Sequence, residues 1–303
     1  MTGGGGFAGS VIAGALLDEG HEVTVFDIFR YGEAAGMALL QRGARVVRGD
    51  VMRPEQVVTE VARHDAVIHL AALVGFPLCD AEPELAHEVN VEGTRNVVAA
   101  MRPDQMLVYA STGSVYGRVD GPCDEEHPPA PLTRYGHTKL GGERIAIDSG
   151  GVSLRFATLF GVSPCMRFDL MINAFVYRAI HVGWMVVYQP EDRRSFLDVR
   201  DAAQSYVLAL DNHADMAGGV FNVGDPAMNL TKRDVADAVT SQFPMRVIYE
   251  DVAIDPDRRN YDVVFDRIRA LGFKAQVRLE DSISLIGAAA RLSGGEGPWR
   301  FHP

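Results

Sequence analysis

Lysine is nearly absent: of the 29 basic residues in this 303-residue chain, only Lys139, Lys232 and Lys274 are not arginine. Cysteine is scarce too. Cys79, Cys123 and Cys165 lie far apart with no C-x-x-C pair, which excludes a disulfide framework and suits structural thiols in a reducing cytoplasm. No apolar run approaches the roughly 20 residues that a membrane-crossing helix needs. The opening has no basic segment followed by an apolar run, so no secretory signal is expected. Positive charge is in deficit, and the net charge of −11 argues against a nucleic-acid partner. An anionic ligand would have to meet a few local arginines or a helix N-terminus. The nine histidines show no metal-ligand spacing, so no metal is assigned. What is present, 47% hydrophobic and 23% charged residues, is the balance of a folded domain. The length fits one large α/β domain or a core with a smaller lobe.

The first 160 or so residues alternate short apolar runs with helical patterns, as βαβ units around a parallel sheet do. Residues 21–27, 44–50, 65–72, 105–112 and 151–161 read as strands. Segments 54–64 and 84–101 carry apolar residues at helical spacing. The Pro- and Gly-rich stretch 121–132 reads as loop. Beyond it, a helix is expected over 168–183 and a strand over 184–189, and residues 194–199 lead into a helix from Arg200. A late helix should start at an N-cap, either Asn229 or Thr231, before a short strand at 246–251.

The chain opens Met-Thr-Gly-Gly-Gly-Gly-Phe-Ala-Gly-Ser. Four glycines could be a flexible tail. However, Phe7, Val11, Ile12, Ala15 and Leu16 form an apolar helical face, Gly20 stops that helix, and a strand then ends at Asp27. Glycine at 3, 6 and 9 allows a tight turn, close approach of a pyrophosphate and close helix–strand packing. Asp27 follows Gly9 by about 18 residues, where a carboxylate can accept bonds from an adenosine ribose and repel a 2′-phosphate. That favours NAD over NADP. Only Met1 and Thr2 precede the glycines, although such a fingerprint normally follows a buried strand. The expectation is therefore an upstream extension of roughly six to ten residues, a typical strand.

Tyr135 and Lys139 stand four apart at the start of a helix and share one face. A surface pair of this kind is common by chance. A nearby ammonium would nevertheless favour tyrosinate, making a base from a group that otherwise ionises near pH 10. Upstream, Ser111 and Thr112 end a strand, where a hydroxyl can bond a reacting substrate oxygen.

Together these segments resemble the extended short-chain dehydrogenase/reductases, in particular the NAD-dependent nucleotide-sugar epimerase/dehydratase group. The matching segments are TGGGGFAGS, DAVIHLAAL, EVNVEGTRNVV, STGSVYG, YGHTK, RRSFLDVRDAA, FNVG and DRRNYDV, covering nearly the whole chain. The resemblance implies a Rossmann-type doubly wound parallel sheet over 1–162, rejoined by 196–224. A smaller discontinuous substrate lobe would span 163–195 and 225–303. It implies catalytic roles for Thr112, Tyr135 and Lys139. NAD would be held by Gly3, Gly6, Phe7, Gly9 and Asp27, by Asp50 and Val51 at the adenine, and by Leu70, Ala71 and Ala72 at ribose and phosphates. Arg194 and Arg259 would clamp a nucleotide diphosphate, since guanidinium forks suit phosphate oxygens. Asn90 is read as structural. Helices 84–101 and 135–147 are those the family pairs into a homodimer.

Departures narrow the chemistry. Dehydratases of the group carry Asp-Glu directly after the catalytic threonine, and decarboxylating relatives keep the glutamate; here stand Gly113 and Ser114. Thr158 occupies the place of an asparagine in the galactose epimerase and is assigned to the substrate. The expected reaction is epimerisation of a nucleotide sugar at C4 through a keto intermediate. A net NAD-dependent sugar dehydrogenase or ketoreductase is the alternative, with a 4,6-dehydratase or decarboxylase behind it. A non-catalytic dinucleotide sensor is disfavoured by the intact Tyr135 and Lys139.

Overall fold

A computed structural model describes residues 1–119, 121–250 and 262–294. Its principal strands are β1 (Thr24–Asp27), β2 (Arg45–Arg48), β3 (Ala66–His69), β4 (Met106–Thr112), β5 (Val152–Phe156), β6 (Thr158–Phe160), β7 (Trp184–Tyr188), β8 (Arg193–Asp198) and β9 (Val220–Val223). The longer helices are α1 (Phe7–Asp18), α2 (Arg134–Asp148), α3 (Met171–His181), α4 (Val199–Asp211), α5 (Lys232–Gln242) and α6 (Leu279–Leu292).

Strands β3, β4, β5 and β9 lie side by side, and β1 pairs with β2, all in parallel. Thr2 joins the two groups, in parallel register with Phe26 on one side and His69 on the other. Across the sheet the order is thus β2, β1, Thr2, β3, β4, β5, β9. This is the doubly wound Rossmann arrangement, and its order reverses beside Thr2. The short central element is fully used: Thr2 N–H donates to Ile68, Gly3 N–H to Phe26, and Leu70 N–H to Thr2. The Met1 nitrogen, partly buried, donates to the Thr24 carbonyl at 2.7 Å.

Two segments depart from the sequence reading. The expected helix 84–101 is Pro83–His87, a π-helical turn Glu88–Glu92, then Gly93–Ala100. The widened turn carries Asn90, whose buried side chain bonds out of the helix to the backbone of Leu73. The expected strand 151–161 is two strands, because Ala157 bonds Val223 and the chain then changes sheets to pair β6 with β8. Of the two N-cap candidates it is Thr231 that caps α5, in a capping box with Asp234.

One core packs helices on the sheet with Ile12 and Leu16 of α1 and Ala202 and Tyr206 of α4 within it. Val263, Phe265 and Ile268 also pack there. A separate cluster of Phe26, Val57, Val61, Val97 and Leu107 packs other helices on the sheet. A second core joins Phe160, Ile172 and Val176, Phe196, Val235 and Ile283. Between sheet edge and second core the chain leaves a cleft of about 800 Å³.

Candidate active site

The candidates named from the sequence all line this one cleft, Arg259 excepted, which lies outside the described residues. Gly3 has φ +69°, and a Cβ on it would stand 2.6 Å from the Ala71 nitrogen. A Cβ on Gly9 would overlap the Gly3 carbonyl oxygen. Gly6 is different: its φ is −80°, and a Cβ would meet one atom, at 3.4 Å. The protein's own packing therefore accounts for glycine at 3 and 9 and leaves position 6 open toward the cleft. Gly6 begins α1 without a side-chain cap, so the helix presents its first-turn N–H groups to whatever occupies the cleft.

Asp27 sits at the end of β1, accepting the Gly5 N–H at 2.9 Å and the Phe29 N–H at 2.7 Å. It thus shapes the glycine turn as well as facing the cleft. Asp50 accepts the Met52 N–H at 2.9 Å, with buried Val51 beside it. Leu70 and Ala71 continue β3, and the Ala71 N–H donates to Thr2 Oγ1 at 3.3 Å.

At the other end, β4 delivers Ser111 and Thr112. Thr112 Oγ1 donates to Ser114 Oγ at 3.1 Å. Ser111 Oγ is buried and has no hydrogen-bond partner among the described residues. Thr133 caps α2 by accepting the Gly136 N–H at 3.1 Å, and the helix so started carries Tyr135 and Lys139. The Tyr135 ring packs on the small cluster of Leu73, Leu78 and Cys79. Lys139 is buried, its Nζ 4.1 Å from the centre of the Tyr109 ring. Desolvation lowers its pKa to about 7, opposed by Glu143 and Cys79. Thr158 on β6 and the buried Arg194 on β8 complete the wall.

Behind the wall runs a hydrogen-bonded chain. His69 Nδ1 meets Thr2 Oγ1 at 2.6 Å and its Nε2 meets Thr94 Oγ1 at 3.0 Å. Thr94 Oγ1 donates to the Asn90 carbonyl at 2.8 Å, so it accepts from His69. Nε2 therefore carries a proton, and in the neutral ring Nδ1 accepts from Thr2. Burial first, then the charge of Lys139, lowers the His69 pKa to about 3. Asn90 Nδ2 carries the chain to Thr138 Oγ1 at 2.9 Å, and Thr138 donates to the Tyr135 carbonyl at 3.0 Å.

The sequence reading missed an ion pair in the cleft. Arg167 donates to Asp169 from Nε at 3.0 Å and from Nη2 at 2.5 Å. It also missed Arg30, whose Nη2 lies 2.8 Å from Glu82. The alternation of Arg167 and Asp169 around Phe168 was the available signal.

Open space at Gly6, an uncapped helix start, two strand-end carboxylates and the unpartnered Ser111 hydroxyl together fit a bound dinucleotide. Residues 1–224 match the model of the NAD dependent epimerase/dehydratase family. The chain belongs to that family. Its cofactor is NAD. Within the family, the chain is 33% identical to a UDP-glucose 4-epimerase of Streptomyces lividans, over 79% of each chain. It is 29% identical to UDP-glucuronic acid decarboxylase 1 of Arabidopsis thaliana, over 96% of this chain and 68% of that one. Among solved structures it is similar to Thermus thermophilus UDP-glucose 4-epimerase in complex with NAD. There the TM-score is 0.84 and the identity 27%, covering 96% of this chain and 97% of the other. Among the described residues no helix is long and apolar enough to cross a membrane.

Proposed function

We propose that the protein epimerises the sugar of a nucleoside diphosphate sugar at C4, through a transient ketone. The acid–base inventory of the cleft carries this reading. Dehydration needs an acid for the leaving hydroxyl and a base for the C5 proton. After Thr112 stand Gly113 and Ser114, and the serine hydroxyl is bonded to Thr112. The carboxylates lining the cleft among the described residues are Asp27, Asp50 and Asp169. Backbone N–H groups hold the first two, and Arg167 holds the third.

Epimerisation asks less of the protein. Tyr135, as tyrosinate, takes the proton of the C4 hydroxyl, and the Thr112 hydroxyl turns from Ser114 to donate a hydrogen bond to the same oxygen. Lys139 stabilises the tyrosinate by charge. NAD, when bound by the residues named below, would supply the redox chemistry, as acceptor of the C4 hydride and its donor to the opposite face of the ketone. Tyr135 then gives back its proton. Gly3, Gly6, Phe7, Gly9, Asp27, Asp50, Val51, Leu70, Ala71 and Ala72 would hold NAD. Thr158, Arg194 and Arg259 would hold the nucleotide sugar. The sheet residues 1–162 and 196–224 would form the cofactor unit, and 163–195 with 225–303 the substrate lobe. The same reading includes a homodimer through 84–101 and 135–147, which light scattering tests.

The functional test is Tyr135→Phe. It should abolish turnover of the accepted nucleotide sugar while NAD content and nucleotide affinity stay unchanged, because the base is lost but little contact area. Retained turnover would overturn the assignment.

A further inference from the structure

Tyr206 stands on α4 with its ring stacked on that of Phe156, the ring centres 5.5 Å apart and the planes 25° from parallel. It is buried, yet it lines the cleft. Its hydroxyl has no hydrogen-bond partner among the described residues. A buried polar group left unpaired is costly, and folded interiors rarely carry one without a reason. Ser111, the other such hydroxyl on a cleft residue, directly precedes Thr112.

The contacts of Tyr206 fix which end of the cleft it serves. Phe156 ends β5 and is the register partner of Thr112, which ends β4. Partners on neighbouring parallel strands present their side chains on the same face of the sheet. Tyr206 therefore packs on the residue beside Thr112. The wall there is apolar: Ile12, Ala157 and Ala202 line the cleft and belong to the same core as Tyr206 and Phe156. Such a wall suits a flat ring with a single polar substituent better than a ribose or a sugar, which carries hydroxyls all round. Burial raises the Tyr206 pKa and the charge of Tyr135 adds to the rise, so the phenol keeps its proton and can both donate and accept.

We infer that the Tyr206 hydroxyl bonds the carboxamide of the nicotinamide ring of NAD and so fixes how that ring is turned. In the proposed reaction the hydride is exchanged with the sugar carbon at Tyr135, which puts the ring at the Thr112 end; this placing rests on the reaction assigned to those two residues. The carboxamide is the ring's only hydrogen-bonding group. It offers a carbonyl acceptor and an amide donor, and a phenol can meet either. Held there, the ring keeps one face toward the sugar. Tyr206 touches no substrate: it is a positioning residue for the cofactor.

The test compares Tyr206→Phe with the unmutated protein, both freed of cofactor, by calorimetric titration with NAD and with ADP-ribose, which is NAD without the nicotinamide ring. Tyr206→Phe should weaken NAD about tenfold and leave ADP-ribose affinity within about twofold. The melting temperature of the cofactor-free protein should not fall, since the hydroxyl removed has no bond there to lose. An equal loss for both ligands would assign the hydroxyl to ribose or phosphate and overturn the inference. Unchanged NAD affinity would overturn it as well, and a lower melting temperature beside it would show the hydroxyl satisfied within the protein. These are binding measurements, so the two failures are read on different variants. Retained turnover in Tyr135→Phe strikes the proposed reaction, whereas unchanged NAD affinity in Tyr206→Phe strikes the inference alone.

Discussion

Asn90 satisfies both backbone polar groups of Leu73, accepting its N–H at 2.7 Å and donating to its carbonyl at 3.0 Å. The same amide nitrogen reaches Thr138 on the helix of Tyr135 and Lys139. A loop lining the cleft is thereby fastened to the helix that brings Tyr135 to the cleft. Asn90→Ala leaves the buried Leu73 N–H unpaired and its carbonyl with only the weak Cys79 S–H at 3.3 Å, and should cost about 2–4 kcal/mol in urea unfolding. A loss within experimental error would show that water or a shifted loop replaces the amide.

Gly6 and Gly9 separate cofactor contact from packing. Gly9→Ala pushes a Cβ into the Gly3 carbonyl and should lower the melting temperature of the NAD-free protein. Gly6→Ala meets one atom at 3.4 Å, so the NAD-free melting temperature should move by no more than about 2 °C. NAD affinity should still fall about tenfold or more, since the Cβ projects where the pyrophosphate approaches. Equal stability losses in the two variants would contradict this division.

His69 predicts an acid limb of stability. Its folded pKa is about 3 against an ordinary value of 6.5. The unfolded chain therefore binds a proton that the folded protein refuses between those values. Stability is full above pH 6.5 and falls through this window by about 1.4 kcal/mol per pH unit from this group. His69→Gln should be less stable at pH 7 but decline less steeply toward pH 4, as read from urea midpoints. Parallel slopes would assign the acid sensitivity to other groups.

The glycine turn, Asp27, Thr112 and the Tyr135–Lys139 pair were legible because each is a matter of local spacing. Glycine at 3 and 9 answers to atoms of its own turn and of the next strand, and residues four apart on a helix must share a face. The rest depended on contacts between distant segments. Nothing near Asn90 in sequence announces Leu73 or Thr138, and so nothing announced the π-helical turn that frees its side chain. The run 151–161 reads as one strand because its apolar pattern is unbroken; only pairing with β8 shows that it changes sheets. Arg167 and Asp169 went unread because the contacts that fix their loop, Asn173 on the Arg167 carbonyl and Phe168 in the second core, do not show in the sequence.

Lys139 predicts the shape of the pH–rate profile. Its ammonium, with a pKa lowered to about 7 by burial, is lost as pH rises through that value, and with it the charge that favours tyrosinate. Activity should fall on that alkaline side. Lys139→Met removes the cation altogether and should cut kcat about 100-fold while moving the rising limb to higher pH, because Tyr135 ionises less readily. An unmoved limb would show that Lys139 only positions the cofactor or the helix.

The proposed reaction is tested most directly by incubating the NAD-loaded protein with a panel of nucleoside diphosphate hexoses in D2O and following products by proton NMR and mass spectrometry. Epimerisation at C4 returns the same hydride to the same carbon and leaves C5 untouched. The predicted product is a C4 epimer of unchanged mass with no carbon-bound deuterium. A product lighter by water or carbon dioxide, or one carrying deuterium at C5, would contradict the account and require an acid–base pair that Gly113 and Ser114 do not supply.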